Sequence, residues 1–386
     1  MSRWRNFCIT ELADFCNAQR IPLSAMERAH KKGNFPYYGA SGIVDYIDNY
    51  IFDGSYILIS EDGENLKSRK TPIAFEATGK FWVNNHAHVL KAKKPHLTAL
   101  IIQYFSQLDL SPYLTGAAQP KLNKASLNLI PLYLPIDESE QKAIASILSS
   151  LKDKIDLLHC QNKTLESMAE TLFRQWFIEE SQDEWPEATL NQYVELNKSS
   201  IDKKYNIKEI QYLDTGSLTK GKISELQKIL LSDAPSRAKR LVNNFDIIIS
   251  TVRPDQCHYG ICIDPPSNLV VSTGFCVITS KSLSPFFIYY LITSEDMTEY
   301  LHSIAEGSTS TYPSLKPEDI GNIPFLYPSE EKLKNFHDLV GSYWNKIHNN
   351  HKKIQTLETL RDTLLPKLMS GEVRVQYGEE KLESVA

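Results

Sequence analysis

The fold of this chain is decided by one helix-like stretch that occurs twice. Residues Asp153–Phe173 read DKIDLLHCQNKTLESMAETLF, and residues Asn345–Leu365 read NKIHNNHKKIQTLETLRDTLL. When the two are aligned without a gap, eight of the 21 positions are identical at a constant offset of 192 residues. The chain has 386 residues, so the copies lie about half a chain length apart. This spacing predicts a tandem duplication.

Both copies belong to longer segments in which apolar residues recur at alternating steps of four and three. The first series runs from Ile144 to Trp176, and adding the offset gives a second series from Phe336 to Leu368. A pattern kept for about five heptads is typical of the a/d seam of a coiled coil. Neither helix is expected to be stable alone in water, so each needs a partner for its apolar stripe.

We expect the two helices to pair with each other in antiparallel orientation. Asn162 and Asn350 would then lie in or near the seam, where a buried Asn fixes the register at a cost in stability. Gly341 is a weak point inside the second helix, and Pro366 should kink or end it. A purely structural coiled coil explains this pattern as well as a functional one does.

The duplication extends beyond the helices. Its β-branched stretches predict strands, and its Gly-led stretches predict a polar loop, a short turn and an extended segment closed by Pro. The offsets drift only by loop-sized amounts. The matched pairs are SYILIS (55–60) with FDIIIS (245–250), VNNHAHVL (83–90) with VSTGFCVI (271–278), and the Gly-led stretches 116–135 with 307–328.

The predicted fold class is α+β, with two globular mixed α/β domains and two long antiparallel coiled-coil helices in a pseudo-twofold tandem duplication. We place the first globular domain at 1–135 and the first long helix at 136–180. The second globular domain is placed at 181–328, and the second long helix with a C-terminal tail at 329–386. The two globular halves share little beyond this framework, so their surface chemistry differs.

The composition is that of a soluble globular protein, with 42% hydrophobic and 23% charged residues. No apolar run approaches the ~18 residues of a membrane span, and the start lacks the apolar region of a secretory signal. The six cysteines show no metal-ligand spacing, so we expect free thiols, no bound metal and a cytoplasmic location. The net charge of −5 does not indicate nucleic-acid binding, but seven basic residues and one acid lie between Asn65 and His96.

Loops of the first half combine amides, aromatic rings and basic groups, which suit contacts with phosphates and base edges. Taken alone, the lysines and the arginine are better explained as a solvated loop, and the two tyrosines could equally well pack the domain. His86 and His88 alternate along a predicted strand, where a structural role is favoured over metal binding. The candidate nucleic-acid contacts of this half are Tyr37, Tyr38, Ser41, Lys67, Arg69, Lys70, Asn84, Asn85, His86, Gln119 and Lys121.

The second half offers a different set of loops of the same general chemistry. They include APSRAKR (234–240), STVRPDQCHYG (250–260) and EGSTSTYP (306–313). A difference in content is what two modules that read different sequences require. The candidate contacts of this half are Arg237, Lys239, Arg240, Arg253, Ser272, Thr273, Ser308, Thr309, Ser310 and Tyr312.

Catalytic motifs are weak in this chain. The segment DPPS (264–267) is close to the Asp/Asn-Pro-Pro-aromatic turn with which DNA amino-methyltransferases hold a flipped base, but Ser267 replaces the aromatic ring. No Gly-rich loop after a strand offers a site for S-adenosylmethionine, and no GxxxxGK[ST] loop offers one for ATP. We interpret DPPS as an ordinary loop and expect no cofactor in this chain.

The alternation of variable half and repeated helix resembles the specificity subunit of type I restriction-modification systems. The resemblance covers nearly the whole chain and is carried by the order of its motifs. The second copy has SEEKLKNFHDLV where the first has DESEQKAIASIL, so one partner contact is expected to be altered. The other motifs are YYGASGIVDYIDNYIFDGSYILISEDG, FWVNNHAHVLKAK, GAAQPKLNKASLNLIPLYLP, STGFCVI, PSLKPEDIGNIPFLYP and LRDTLLPKLMSGEV.

The resemblance implies a non-catalytic protein. Each globular half would be a target recognition domain that reads one part of a bipartite DNA site. The helices would act as spacer and as docking surface for two methyltransferase subunits, which bind S-adenosylmethionine. A separate restriction and translocase subunit would use ATP and Mg. Two alternatives stay open: a self-contained DNA amino-methyltransferase, and a coiled-coil adaptor with no nucleic-acid role.

Overall fold

A computed structural model describes residues 3–116, 119–202, 205–308 and 312–375. The candidate contacts Thr309 and Ser310 lie outside these ranges. The chain forms two compact units, Met1–Leu158 with Lys353–Ala386, and His159–Lys352. Each unit contains one globular half and a part of each long helix. Across the described ranges, no helix combines the length and apolarity needed to cross a membrane.

Among its described residues the first unit has ten strands, most of them short and rich in aromatic and β-branched residues. These residue types favour the pleated, half-buried surface of a sheet. The strands are β1 (Trp4–Phe7), β2 (Ala13–Phe15), β3 (Lys32–Gly39), β4 (Gly42–Ile47), β5 (Phe52–Asp53), β6 (Tyr56–Ser60), β7 (Ala74–Ala77), β8 (Lys80–Val83), β9 (Ala87–Ala92) and β10 (Leu132–Pro135).

These strands form two four-stranded sheets and one two-stranded sheet. The four-stranded sheets have the orders β2-β9-β6-β7 and β4-β3-β8-β5, and β1 pairs with β10. Strand β6 is central, and Ile57, Leu58 and Ile59 along it are fully buried. The predicted strand 55–60 is therefore confirmed as a core element.

Helix α4 (Pro95–Gln107) packs against the first four-stranded sheet. Helix α4 begins with Pro95, as a proline at the first helical position favours, and it buries Leu97, Leu100, Ile101 and Phe105 against the sheet core. The helices are α1 (Ile9–Leu12), α2 (Ala25–Ala29), α3 (Asn65–Ser68), α4 (Pro95–Gln107), α5 (Lys124–Leu129) and the long α6 (Glu138–Arg174), which continues into the second unit.

Over residues 159–202, 205–308 and 312–352, the second unit repeats the strand pattern of the first with one additional hairpin. Its elements are β11 (Glu187–Thr189), β12 (Val194–Leu196), β13 (Glu209–Leu213), β14 (Leu218–Thr219), β15 (Lys222–Ile223), β16 (Gln227–Leu230), β17 (Ala238–Leu241), β18 (Ile247–Ser250), β19 (Tyr259–Ile261), β20 (Leu269–Ser272), β21 (Phe275–Ser280) and β22 (Pro324–Leu326), with helices α7 (Pro285–Thr293), α8 (Glu295–Glu306), α9 (Pro317–Gly321) and α10 (Glu330–Ser370).

The sheet orders of the second unit are β12-β21-β18-β19 and β16-β13-β20-β17, with β11 paired to β22. Element by element, these match the orders of the first unit. The additional hairpin, β14 with β15, lies between the strands that correspond to β3 and β4. Central strand β18 matches β6, and β21 matches β9, as the aligned segments predict. The tandem duplication is therefore confirmed at the level of topology.

The long helices pair in antiparallel orientation within each unit. In the first unit, Ile155 and Leu158 of α6 pack against Ile354 of α10, and Ile144 shares a core with Leu368. Moving along α6 from Ile144 to Ile155, the partner on α10 moves back from Leu368 to Ile354, so the two helices run in opposite directions. The heptad seam predicts these buried positions correctly.

In the second unit the same seam contains a polar pair and an aromatic cluster. The Asn350 side-chain amide donates to Asn162 Oδ1 over 2.8 Å, and Phe173 and Phe177 pack against Phe336. Both asparagines are buried, so their predicted position in the seam is confirmed. Helix α6 ends in a π-helical turn, Gln175–Glu179.

Helix α10 does not end at Pro366 but continues to Ser370, so that part of the prediction is wrong. Proline removes one backbone donor, but Leu365, Leu368 and Met369 around it are buried in the core of the first unit. Tertiary packing therefore outweighs the local preference. Gly341 is not a break either: a β-carbon there would lie 3.2 Å from the Phe286 ring, so the small residue allows a close approach.

Candidate nucleic-acid interface

Three loops of the first unit meet at one edge of its first sheet. The loop after β6 joins the β8–β9 turn through the backbone bond from Glu61 N to His86 O, at 2.8 Å. It joins the loop before α5 through the bonds from Leu122 N to Glu61 O, at 2.8 Å, and from Gly63 N to Pro120 O, at 3.1 Å. This brings the predicted contacts Asn84, Asn85 and His86 next to Gln119 and Lys121.

Partly buried carboxylates hold the basic groups of this edge in place. Glu61 accepts from Arg20 at 2.7 Å and lies 3.7 Å from Lys121 Nζ. The His86 ring lies 2.9 Å from Asp62 Oδ1. The Glu61 side chain is only 14% exposed, whereas Lys121 is 50% exposed. The acids therefore position this cluster from below, and the lysine and the histidine face solvent.

His88 has the structural role that its alternation with His86 predicts. Its ring is buried, with Nε2 2.7 Å from Leu122 O and Nδ1 2.9 Å from the Asn17 side-chain amide. Burial lowers the pKa of His88, although the Leu122 carbonyl opposes this. A neutral ring that donates from Nε2 and accepts at Nδ1 satisfies both partners. His88 therefore ties the start of β9 to the loop before α5.

The three basic residues that follow β6 have different roles. Lys67 and Lys70 are exposed. The Arg69 guanidinium instead donates to Leu108 O at 2.6 Å and also to Phe105 O. It satisfies carbonyls that the end of α4 leaves free. The structure gives Arg69 a capping role, and leaves the two lysines as the candidates for phosphate contact.

The hairpin of β3 and β4 carries three predicted contacts with different exposure. Tyr37 is 1% exposed, and its hydroxyl accepts from the Leu23 N–H at 2.9 Å. Tyr38 is half-buried and packs edge-on against Phe81. Ser41 is exposed at the tip. Tyr37 cannot reach DNA from its core position, so the prediction of a contact there is corrected to a packing role.

Sequence reasoning missed groups that lie beside these contacts. Ile43 and Val44 on β4 are 47% and 57% exposed, next to the hairpin tip. Arg20 was also missed, although it anchors Glu61. An apolar pair in a strand predicts burial unless the strand is known to lie at a sheet edge. Strand β4 is an edge strand, and the order of the strands in a sheet cannot be inferred from the local sequence.

The second unit assembles its loops at the equivalent edge. Thr251, just after β18, donates its backbone N–H to Gly274 O at 2.9 Å and accepts from Leu315 N at 2.7 Å. The Thr273 N–H donates to Arg237 O at 2.8 Å. These bonds bring together the end of β18, the β20–β21 turn, the start of β17 and the loop before α9. The side chains of Arg237, Lys239 and Thr273 are exposed here.

Arg253 is held in place through both its backbone and its side chain. Its backbone is left-handed, with φ of 51°, and its N–H donates to Pro313 O at 3.0 Å. Its guanidinium lies 4.6 Å from the centre of the Tyr312 ring, a cation–π contact. Tyr312 is 54% exposed. An arginine held against an exposed ring presents its N–H groups to solvent in a fixed plane.

The remaining contacts of this half are less accessible. Ser272 is 2% exposed, and its hydroxyl accepts from Gly274 N at 3.2 Å, so the prediction of a contact is corrected to a turn-stabilising role. Arg240 is half-buried and donates to Ser200 at 3.3 Å. Ser308 is also half-buried. Of these three, none presents a largely exposed side chain.

The DPPS segment faces a helix. Asp264 Oδ2 lies 3.0 Å from Lys352 Nζ and 3.5 Å from His348 Nε2, both on α10. The lysine holds the pKa of Asp264 below its usual range. An aspartate engaged in this way is a loop anchor and does not receive the amine of a base.

Known proteins show similarity in both sequence and fold. Residues 1–167 match the family described as "Type I restriction modification DNA specificity domain". A Haemophilus influenzae protein assigned as a type I restriction enzyme specificity subunit is 37% identical over 143 residues, which is 37% of this chain and 36% of that protein. The type I restriction enzyme MjaIX specificity subunit of Methanocaldococcus jannaschii is 27% identical over 387 aligned positions, which cover 89% of this chain and 88% of that protein.

A solved structure agrees over nearly the full length. The S subunit of a type I restriction-modification system from M. genitalium superposes with a TM-score of 0.63 at 16% identity. The match covers 98% of this chain and 97% of that one. At this identity the likeness concerns the fold alone.

Proposed function

We propose that the chain is a specificity subunit of type I restriction-modification systems, which its similarity to that family supports, and that it reads a bipartite site on double-stranded DNA. Each compact unit reads one half-site with the edge described above. The chain is a non-catalytic recognition subunit of a larger complex. Methylation, translocation and cleavage belong to its partners.

The observation that carries this proposal is the equivalence of the two edges. Matched loops of matched sheets present exposed cations and polar groups, while the side chains at matched positions differ. His86 and Lys121 occupy the first edge, and Thr273 and Arg253 the second. A shared frame with different side chains is what two readers of different sequences need.

The exposed groups divide by chemistry. Cations supply phosphate contacts and salt-dependent affinity, whereas amides and hydroxyls can pair with base edges. We assign phosphate contacts to Lys67, Lys70, Lys121, Arg237, Lys239 and Arg253. We assign base-edge contacts to Asn84, Asn85, His86, Gln119 and Thr273, with Ser41 and Tyr312 at the rims.

The partners follow from the duplicated helices. Two related copies of a helix can present two related surfaces, so we propose that α6 and α10 dock two methyltransferase subunits. Those subunits supply S-adenosylmethionine, and a restriction and translocase subunit supplies ATP and Mg chemistry. DNA affinity shared with partners makes the net charge of −5 tolerable.

The deciding experiment is co-expression of this chain with the neighbouring methyltransferase subunit, followed by long-read mapping of methylated adenines in the host genome. We expect one bipartite motif with a fixed gap, which is lost when this chain is omitted. A pair that assembles but methylates no bipartite motif would overturn the proposal and favour the adaptor alternative.

The alternative of a self-contained amino-methyltransferase is not favoured. Its only motif is DPPS, and Asp264 is engaged with α10. Binding of S-adenosylmethionine by the purified chain alone, measured by calorimetry, would revive that alternative.

A further inference from the structure

The second unit contains a cavity of about 580 Å³ that the DNA-reading edge does not use. Helices α6, α7, α8 and α10 form most of its wall, together with the turn at Lys220–Gly221. A cavity of this size suits a small molecule or a long side chain. All of its lining residues belong to the second unit.

One wall of this cavity is aromatic. Tyr259, Tyr289, Tyr290 and Trp344 line it. The rings of Tyr289 and Trp344 meet edge-on with centroids 5.5 Å apart, and those of Tyr259 and Tyr289 are 6.2 Å apart. The face of such a ring attracts a cation through the ring quadrupole.

Tyr289 has a hydroxyl without a partner. Its side chain is 7% exposed, and within the described ranges no protein group hydrogen-bonds to the hydroxyl. The hydroxyl points towards the cavity turn: a β-carbon on Gly221 would lie 3.6 Å from it. The hydroxyl of a tyrosine side chain that is buried to this extent is normally hydrogen-bonded, so this oxygen is an open acceptor at the cavity wall.

Another part of the lining is acidic. Glu166 and Glu170 lie one turn apart on α6, and Glu295 and Asp296 begin α8. In the part of the chain that the structure describes, none of the four forms an ion pair. Burial raises the pKa of half-buried Glu166, although more distant Lys222 opposes this.

The basic groups at the wall do not neutralise these acids. Arg174 pairs with Glu179 at 3.3 Å, and Lys220 is exposed on the turn. His351 lies at the wall as well and is exposed. The cavity therefore has an aromatic face and four acids that form no ion pair among the described residues, and it is partly desolvated at Glu166.

The first unit shows that the aromatic wall is not a requirement of the fold. At the constant offset, Glu166 and Trp344 correspond to Glu358 and Lys152. Lys152 pairs with Asp156 at 2.5 Å. When α4 and α7 are aligned on their first prolines, Tyr289 corresponds to Ala99. The duplicated frame keeps the acid in both copies but has aromatic residues only in the second.

We propose that this cavity binds a primary ammonium or guanidinium group carried on an aliphatic stem. The cation lies between the Glu166 and Glu170 carboxylates and the Tyr289 face, and donates a hydrogen bond to the Tyr289 hydroxyl. The stem packs along Tyr259 and Trp344. The same chemistry is offered by a free polyamine and by a lysine or arginine side chain of a protein partner.

The test is calorimetric titration of the full chain with spermidine. We expect one site, weakened about tenfold or more in Glu166→Gln because a charge-assisted contact is lost. Tyr289→Phe, which removes only the hydroxyl, should weaken binding in the same direction. Glu358→Gln is the matched control in the first unit and should leave the affinity unchanged.

A second arm distinguishes the two sources of the cation. Titration is repeated after the methyltransferase subunit has assembled on the chain. A free polyamine still binds, whereas a partner side chain blocks spermidine and makes assembly sensitive to Glu166→Gln. The proposal is overturned if spermidine does not bind and Glu166→Gln leaves assembly with the methyltransferase subunit unchanged. It is also overturned if Glu166→Gln and Glu358→Gln weaken spermidine binding equally.

Discussion

The polar pair in the helix seam is expected to destabilise the protein and to fix its register. Asn350 is fully buried, and its amide nitrogen donates to Asn162 Oδ1 and to Gln161 Oε1, each at 2.8 Å. No described residue forms a hydrogen bond with Asn162 Nδ2 or with Asn350 Oδ1. The seam therefore contains two hydrogen bonds and two unsatisfied buried atoms. Replacing both asparagines with leucine removes all four features.

The magnitude follows from these contacts. Loss of two hydrogen bonds lowers the free energy of unfolding by about 2 kcal/mol, and removal of two unsatisfied buried atoms raises it by at least about 2 kcal/mol. Burial of two leucine side chains adds about 3 kcal/mol. The double variant Asn162→Leu with Asn350→Leu should therefore be more stable by about 3 kcal/mol. Asn350→Leu alone should gain much less, because Asn162 then remains buried without any partner.

Urea unfolding, followed by helical circular dichroism, measures the effect. We expect a higher midpoint for the double variant and a positive coupling between the two substitutions. Asn349→Leu, an exposed asparagine on the same helix, is the control and should change stability by less than about 0.5 kcal/mol. A double variant that unfolds before the wild type would refute the reasoning, since the amide pair would then stabilise more than its burial costs.

Three further predictions concern spacing, modularity and pH. Lengthening α6 by a few residues between Asp153 and Thr164 should change the gap in the methylated motif, and an unchanged gap would count against the helix as a spacer. Exchanging residues 1–135 for those of a relative should change one half of the motif; a change in both halves would contradict modular reading. The pKa of His88 is lowered by burial. The contribution of His88 to the free energy of unfolding should therefore be full above about pH 6.5 and should decrease below it, because the unfolded ring then takes up a proton that the folded ring does not. Denaturation from pH 7 to 5 checks this, and His88→Asn should flatten the curve, whereas an equal slope in the variant would assign the loss to another group.

Structural elements that follow from a local periodic pattern could be predicted from the sequence. The 4-3 spacing gave the seam of α6 and α10, and the position of Asn162 followed from it without any tertiary information. β-branched runs gave β6 and β18 for the same reason. Where a residue is one of many in a repeating pattern, the sum of weak preferences is decisive.

Single loop residues could not be placed in this way. Tyr37 is buried by Leu23, and Arg69 caps a helix whose end lies nearly forty residues further along the chain. Pro366 continues a helix because of the core around it. Burial and capping depend on neighbours distant in sequence, and the acidic cavity depends on residues from Glu166 to His351.

The division of both long helices between the units has a consequence for synthesis on the ribosome. The second unit, His159–Lys352, is one continuous stretch, but the first needs the segment that begins at Lys353. Its core includes Leu365 and Leu368. The half that emerges first is therefore completed last, after a wait of roughly 10–40 s at ~5–20 residues per second. During that wait its nascent helix exposes an apolar stripe, which makes the growing chain a client for chaperones or for a partner that binds early.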